Sequence, residues 1–346
     1  MRTLRLTLVL CFLFLGLNCA RAQEEADFSG SLLKRFHLSG YFQGGYAAIR
    51  NQDCKENSFY VRNAIVSADA RITRRWSFLG EFNFAKGQFR DLYLDYMAVP
   101  WLHIRFGQMS KAFGMESDLA PDMSDVINLY SRPTGVTVGI VGDPIYDAYM
   151  GRDIGIKLWG DIPGIPAGYQ IALMNGSGED TKDDNNQKDL MGKVTWRILS
   201  GLNLTGSFYL GSGHGHRGAL IFTPKEFTYS RRRAALGIQY KAPKFRVHSE
   251  VLVGKSGEAK TTGAYATMAI PLHEGLEAVA SIDRIHYALD ENYHSTDHIA
   301  GLQYWFHDNC RAQLQHTLTD ATGLSVSHML QTQIQMGFLK DREEQP

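Results

Sequence analysis

One property restricts the fold of this chain more than any other: from residue 36 to residue 338 its side chains alternate in polarity with a period of two, in segment after segment. Alternation of that period is the geometry of a β-strand with two different faces. In the last segment Leu330, Thr332, Ile334, Met336 and Phe338 point one way, and Gln331, Gln333, Gln335 and Gly337 point the other. One face suits lipid and the other suits water. The same division sets Trp76, Phe78, Phe82 and Phe84 against Ser77, Glu81 and Asn83, and Phe245, Val247, Val251 and Val253 against Arg246, His248 and Glu250. Segments of about 10 residues or more can cross a bilayer at a tilt.

The pattern predicts strands over 36–50, 59–73, 75–86, 89–98, 101–109, 151–161, 167–175, 188–199, 202–211, 230–242, 244–255, 261–271, 275–287, 297–306, 309–318 and 327–338. These make an all-β chain of about sixteen strands, the even number that a closed antiparallel transmembrane barrel requires. Connections alternate between short and long, which places the short turns in the periplasm and the long loops outside. The third long connection, Ser110 to Met150, is by far the longest.

The chain opens with Arg2 and Arg5, an apolar run from Leu6 to Leu17, and Ala20-Arg21-Ala22. That is the layout of a secretory signal peptide cleaved after Ala22, and together with the barrel pattern it directs the remainder to a bacterial outer membrane. The expected organisation is a signal peptide at 1–22, a short periplasmic segment at 23–35, the barrel at 36–338 and a charged tail at 339–346. After cleavage no apolar run approaches the roughly 20 residues of a membrane helix. Loss of Arg2, Arg5 and Arg21 turns 36 basic and 36 acidic residues into a net charge of −3. No nucleic-acid partner is expected at that charge. Cys54 falls in the first external loop and Cys310 at a periplasmic turn, so both are expected to be free thiols.

With the segments in place, several stretches carry a resemblance in their order and spacing: Phe59 to Ala64 (FYVRNA), Phe106 to Glu116 (FGQMSKAFGME), Ser131-Arg132-Pro133, Gly151 to Gly155 (GRDIG) and Met174 to Gly178 (MNGSG). In these the chain resembles the phosphate-selective porin O and P family of Gram-negative outer membranes. The resemblance implies a homotrimer of sixteen-stranded barrels, each with its third loop folded inward to narrow a water-filled pore, and passive passage of small anions such as phosphate. By the same resemblance Lys111 and Arg132 are basic positions of the constriction, and Arg62 faces the pore although it shares parity with Ala64, Val66 and Ala68. No cofactor and no catalytic residue is implied.

Parity adds Arg71, Arg105, Lys157, Lys193, Arg197, Arg233, Arg246 and Arg311 to the lumen, against Asp69, Glu81, Asp91, Asp95, Glu250 and Asp283. Within Arg231-Arg232-Arg233 it turns Arg231 and Arg233 inward as an anion funnel and Arg232 outward toward lipid phosphate. Basic groups in a narrow lumen concentrate anions. Where phosphate-selective members carry further arginines, however, this chain has Tyr41 and Asn63. A general diffusion pore for small hydrophilic solutes therefore stands as the alternative, with a plugged barrel behind it.

Three other patterns read as ordinary. His214 and His216 in Gly211 to Gly218 lack the further ligands of a metal site. The acidic stretch Glu179 to Asp184 lacks the spaced ligands of a calcium loop. No G-x-S-x-G elbow or serine–histidine pairing marks an enzyme.

Overall fold

In the computed structural model, residues 35–128, 130–137, 151–183, 185–215, 227–288 and 292–338 are described. The expected signal peptide at 1–22, most of the 23–35 segment, the charged tail and His216 lie outside them, as does the side chain of His214. No helix among the described residues is long and apolar enough to cross a membrane.

The strands are β1 (Phe36–Arg50), β2 (Lys55–Arg71), β3 (Trp76–Asn83), β4 (Gln88–Val99), β5 (Leu102–Ser110), β6 (Arg152–Asp161), β7 (Ala167–Met174), β8 (Asp189–Leu199), β9 (Leu202–Gly215), β10 (Phe227–Ala242), β11 (Phe245–Ser256), β12 (Ala259–His273), β13 (Leu276–Ala288), β14 (Asn292–His307), β15 (Cys310–Ala321) and β16 (Ser327–Phe338). Each pairs with its sequence neighbours, and β1 pairs antiparallel with β16 from Gly40↔Phe338 to Arg50↔His328, which closes the barrel. Closure leaves no edge of unpaired backbone, the condition for a sheet in lipid.

Several strands run further at their long-loop ends than the alternation suggests. β2 starts at Lys55 rather than at 59, and β14 at Asn292 rather than at 297. Ladder hydrogen bonds continue past the apolar band because they do not need apolar side chains. The pattern read from sequence marks where the strand meets lipid.

Exterior and interior divide as the alternation predicts. Leu330, Ile334 and Met336 are exposed on the outside of β16, whereas Gln331, Gln333 and Gln335 are buried inside. Near the short turns the outward face carries Trp76, Trp101, Trp196, Tyr304, Phe306 and Phe338, all exposed. Such a ring of aromatics is the girdle a barrel places at a membrane boundary. Cys54 and Cys310 are both free.

Candidate functional site

The long connection between β5 and β6 enters the barrel. Its anchor is Phe113, fully buried in an apolar cluster with Met109, Met174, Met191, Tyr209, Leu252 and Tyr265 from the inner wall. Ring edges of Phe113 and Tyr209 meet at 6.1 Å between centroids. Beside this anchor the loop backbone is pinned at several points. Gly114 N–H donates to Ser207 Oγ at 3.0 Å, Met115 N–H to the Glu250 carboxylate at 3.0 and 3.1 Å, and Lys193 Nζ to Gly114 O at 3.2 Å.

The loop then crosses the lumen. Asp118 pairs with Lys193 of β8 and accepts from Ser110 of β5 at 2.9 Å and Gln170 of β7 at 3.0 Å. Four residues on, Gln335 of β16 donates to Asp122 O at 3.2 Å, and Gln43 of β1 to Pro121 O at 3.0 Å. In a ring of sixteen, β8 and β16 are opposite walls. Four residues extend at most about 14 Å. The inner side chains of opposite walls therefore hold one short stretch of chain between them.

Beyond the crossing, Asp125 sits against Arg246, which also binds Glu277 at 2.7 Å, and Gln303 donates to Asp125 at 3.0 Å. Ile127 N–H donates to Gln315 Oε1 at 2.8 Å. A short helix, α1 (Arg132–Thr137), follows and lies against β11, β12 and β13. Buried amides from β14 round to β3 form the wall that receives this stretch: Gln303, Gln313, Gln335, Gln43, Asn63 and Asn83. They hydrogen-bond to one another, as in Asn63 to Gln43 at 2.7 Å and Gln43 to Gln335 at 2.8 Å. Amides carry both donors and acceptors, so such a wall can satisfy loop N–H and C=O groups alike.

The sequence-derived cations fall into separate places. Lys111, Arg231 and Arg233 come together beneath the loop's first residues. Lys111 and Arg231 are each 1% exposed and Arg233 is 7% exposed. Around them lie Asp153 and Asp189, with Arg231 donating to Gly176 O at 2.9 Å and Arg233 to Ser256 Oγ at 3.0 Å. This group is a packed charge network, not a rim. Arg132 leaves α1 to bind Asp297 at 2.6 Å. Arg105 binds Asp95 at 2.8 Å and lies 3.9 Å from the Tyr93 ring centroid. Lys157 donates to Ser110 O at 2.8 Å, and Arg71 is exposed at the short-turn end of β2.

Arg62 reaches the lumen by a route that parity does not describe. Gln43 pairs with Asn63 but Gly44 pairs with Val61, so Arg62 is the extra residue of a β-bulge. A bulge breaks the alternation and re-aims a side chain. Arg62 turns inward with Asn63 and approaches Asn128 of the loop at 3.4 Å.

A second bulge, between Phe82↔Phe89 and Gly80↔Leu92, turns both Arg90 and Asp91 inward. Gln108 supports it by donating to the carbonyls of Phe89 and Arg90 at 2.8 and 3.0 Å. Arg90 binds Glu81 at 3.0 Å, and Arg152 binds Asp91 at 3.0 Å. Neither Arg90 nor Arg152 is legible as a lumen residue from strict alternation. Above them Glu179, in the long β7–β8 loop, accepts from Gln88 at 3.2 Å. Burial pushes its carboxyl up to about 7, opposed by Arg152 and Arg90.

No protein-family model matches the chain, and no curated protein matches it in sequence. Solved structures do match in shape. A loop-deletion form of OmpT, an outer membrane protein of Vibrio cholerae, superposes with a TM-score of 0.65 at 12% identity, over 88% of this chain and 99% of that one. An anion-selective porin from Comamonas acidovorans gives 0.62 at 13% identity, over 88% and 99%. OprB of Pseudomonas putida gives 0.65 at 10% identity, over 89% and 95%. The chain thus shares the sixteen-stranded barrel fold of bacterial outer-membrane porins.

Proposed function

We propose that this protein is an outer-membrane porin that lets small hydrophilic solutes diffuse passively, with a modest preference for anions such as phosphate. The observation that carries the reading is the closed barrel with an apolar exterior and a charged, hydrogen-bonding interior, narrowed by the loop after Ser110. A lumen of that kind replaces part of a solute's hydration while the wall excludes lipid.

Modest selectivity follows from how the lumen cations are partnered. Arg90, Arg105, Arg132, Arg152, Lys193 and Arg246 each meet a carboxylate. A paired cation attracts a passing anion far less than a lone one. Arg62 instead bonds to a neutral oxygen, that of Asn128, and supports the anion preference. As in the family that the sequence resembles, a homotrimer is proposed.

The test is ion selectivity in a planar bilayer, with phosphate titrated against chloride. Reversal potentials favouring chloride, and a weaker preference in an Arg62→Gln variant, are expected; equal anion and cation permeability would remove the anion preference. A second reading, a barrel closed at rest, is favoured by the crossing between Asp118 and Asp122 and predicts no steady conductance from correctly folded protein.

A further inference from the structure

Three cations stand side by side on the outside of the barrel. Arg232 pairs in register with Lys255, and Lys255 with Lys260, across β10, β11 and β12. All three are exposed, while Arg231, Arg233, Ser256, Ala259 and Thr261 on the alternate parity are buried toward the lumen. With neighbouring strands about 4.8 Å apart, the row spans about 10 Å. Like charges directly opposite one another across strands repel. Among the described residues no carboxylate pairs with any of the three, and Glu258 in the intervening turn is exposed and unbonded to them.

Their height on the wall indicates what balances them. Outward from Arg232 along β10 come Ala234, Leu236 and Ile238, and then Tyr240 beside Phe245 near the periplasmic turn. Eight residues rise about 26 Å along a strand, or about 20 Å across a bilayer at a tilt near 40°. Directly below the row lie Ala234, Val253 and Thr262, and below those Leu236, Val251 and Ala264. Leu236, Val251 and Val253 are 67%, 55% and 46% exposed, an unbroken lipid-facing surface. The cations stand where acyl chains give way to headgroups on the external side.

We infer that Arg232, Lys255 and Lys260 form a binding site for the phosphate of a phosphorylated lipid in the external leaflet, its acyl chains lying on Leu236, Val251 and Val253. An anionic headgroup relieves the repulsion along the row. Guanidinium and ammonium groups supply charge-assisted hydrogen bonds to phosphate oxygens. Attachment of the chains to the surface below distinguishes a lipid from a free ion. This inference rests on the outer-membrane reading of the barrel, yet it concerns the outside of the wall and not the pore.

The experiment is native mass spectrometry of the full-length barrel in neutral detergent, titrated with bisphosphorylated lipid A, with its dephosphorylated form, and with inorganic phosphate as competitor. The comparison variant is Arg232→Gln/Lys255→Gln/Lys260→Gln, accepted only if its gel heat-modifiability matches the parent. The parent is expected to bind the phosphorylated lipid at least tenfold more tightly than the variant does, with the dephosphorylated lipid bound weakly by both. Equal affinity in parent and variant overturns the site. Displacement by millimolar inorganic phosphate overturns the lipid as its ligand. Conductance of the variant should equal that of the parent, so failure of the pore reading and failure of this site are separately visible.

Discussion

Arg132 and Asp297 form a two-pronged ion pair, with Nε and Nη2 of the guanidinium donating to the two carboxylate oxygens at 2.6 and 3.0 Å. The pair fastens α1 of the inserted loop to β14. Thr319 completes it by donating to Asp297 at 2.6 Å. Such forked geometry fixes orientation as well as position.

Substituting Asp297→Asn should therefore loosen the end of the loop without unfolding the barrel. Arg132 is partly exposed, so the loss is expected to be about 1 kcal/mol. Single-channel recordings should show higher conductance or faster closing events than the parent. Identical traces would mean that the loop is held without this pair.

Phe113→Ala removes the loop's apolar anchor. Truncating a buried phenylalanine costs about 3–5 kcal/mol, here charged to loop docking and not to the strand ladder. The expected result is rapid proteolytic cleavage within residues 111–128, with the barrel's resistance to sodium dodecyl sulfate retained. Unchanged loop protection would show that the amide wall suffices.

Gln108→Leu strips two hydrogen bonds from the bulge at Arg90 and Asp91. Leaving buried carbonyls unsatisfied costs about 1–3 kcal/mol each. The barrel should unfold at lower urea, and any anion preference that depends on Arg90 and Arg152 should fall with it. Equal urea midpoints would show that solvent replaces the amide.

Glu179 makes the external mouth pH-sensitive. Its carboxyl is raised to about 7 by burial, with Asp180 and Asp91 adding to the shift and Arg152 and Arg90 reducing it. Because the folded value lies above the unfolded one, the neutral form is favoured in the native state. Its burial destabilises the fold as pH rises from about 4.5 through 7. Ionisation places a negative charge beside Arg90 and Arg152, so anion preference should decline between pH 5 and pH 8, on the order of that window. Glu179→Gln should flatten the decline; a slope that persists in the variant would assign it to other groups.

What the linear chain determined is the barrel. Period-two alternation fixes which face of each strand meets lipid, because a one-residue slip would turn every apolar side chain inward. The strand number, the alternation of turns and loops, the inward Arg231 and Arg233 and the outward Arg232 all follow from that periodicity. The inward Arg62 and Arg90 do not, because bulges interrupt the period at residues that carry no local mark of it.

Nor could the sequence tell that Lys111 is packed beside Arg231 and Arg233, or that a wall of glutamines grips the loop backbone. Those arrangements join residues up to 292 positions apart in the chain, as in Gln43 with Gln335. Alternation is a local consequence of the extended backbone and is written in neighbouring residues. The path of a loop through the lumen is settled only when the closed barrel presents all its inner faces at once.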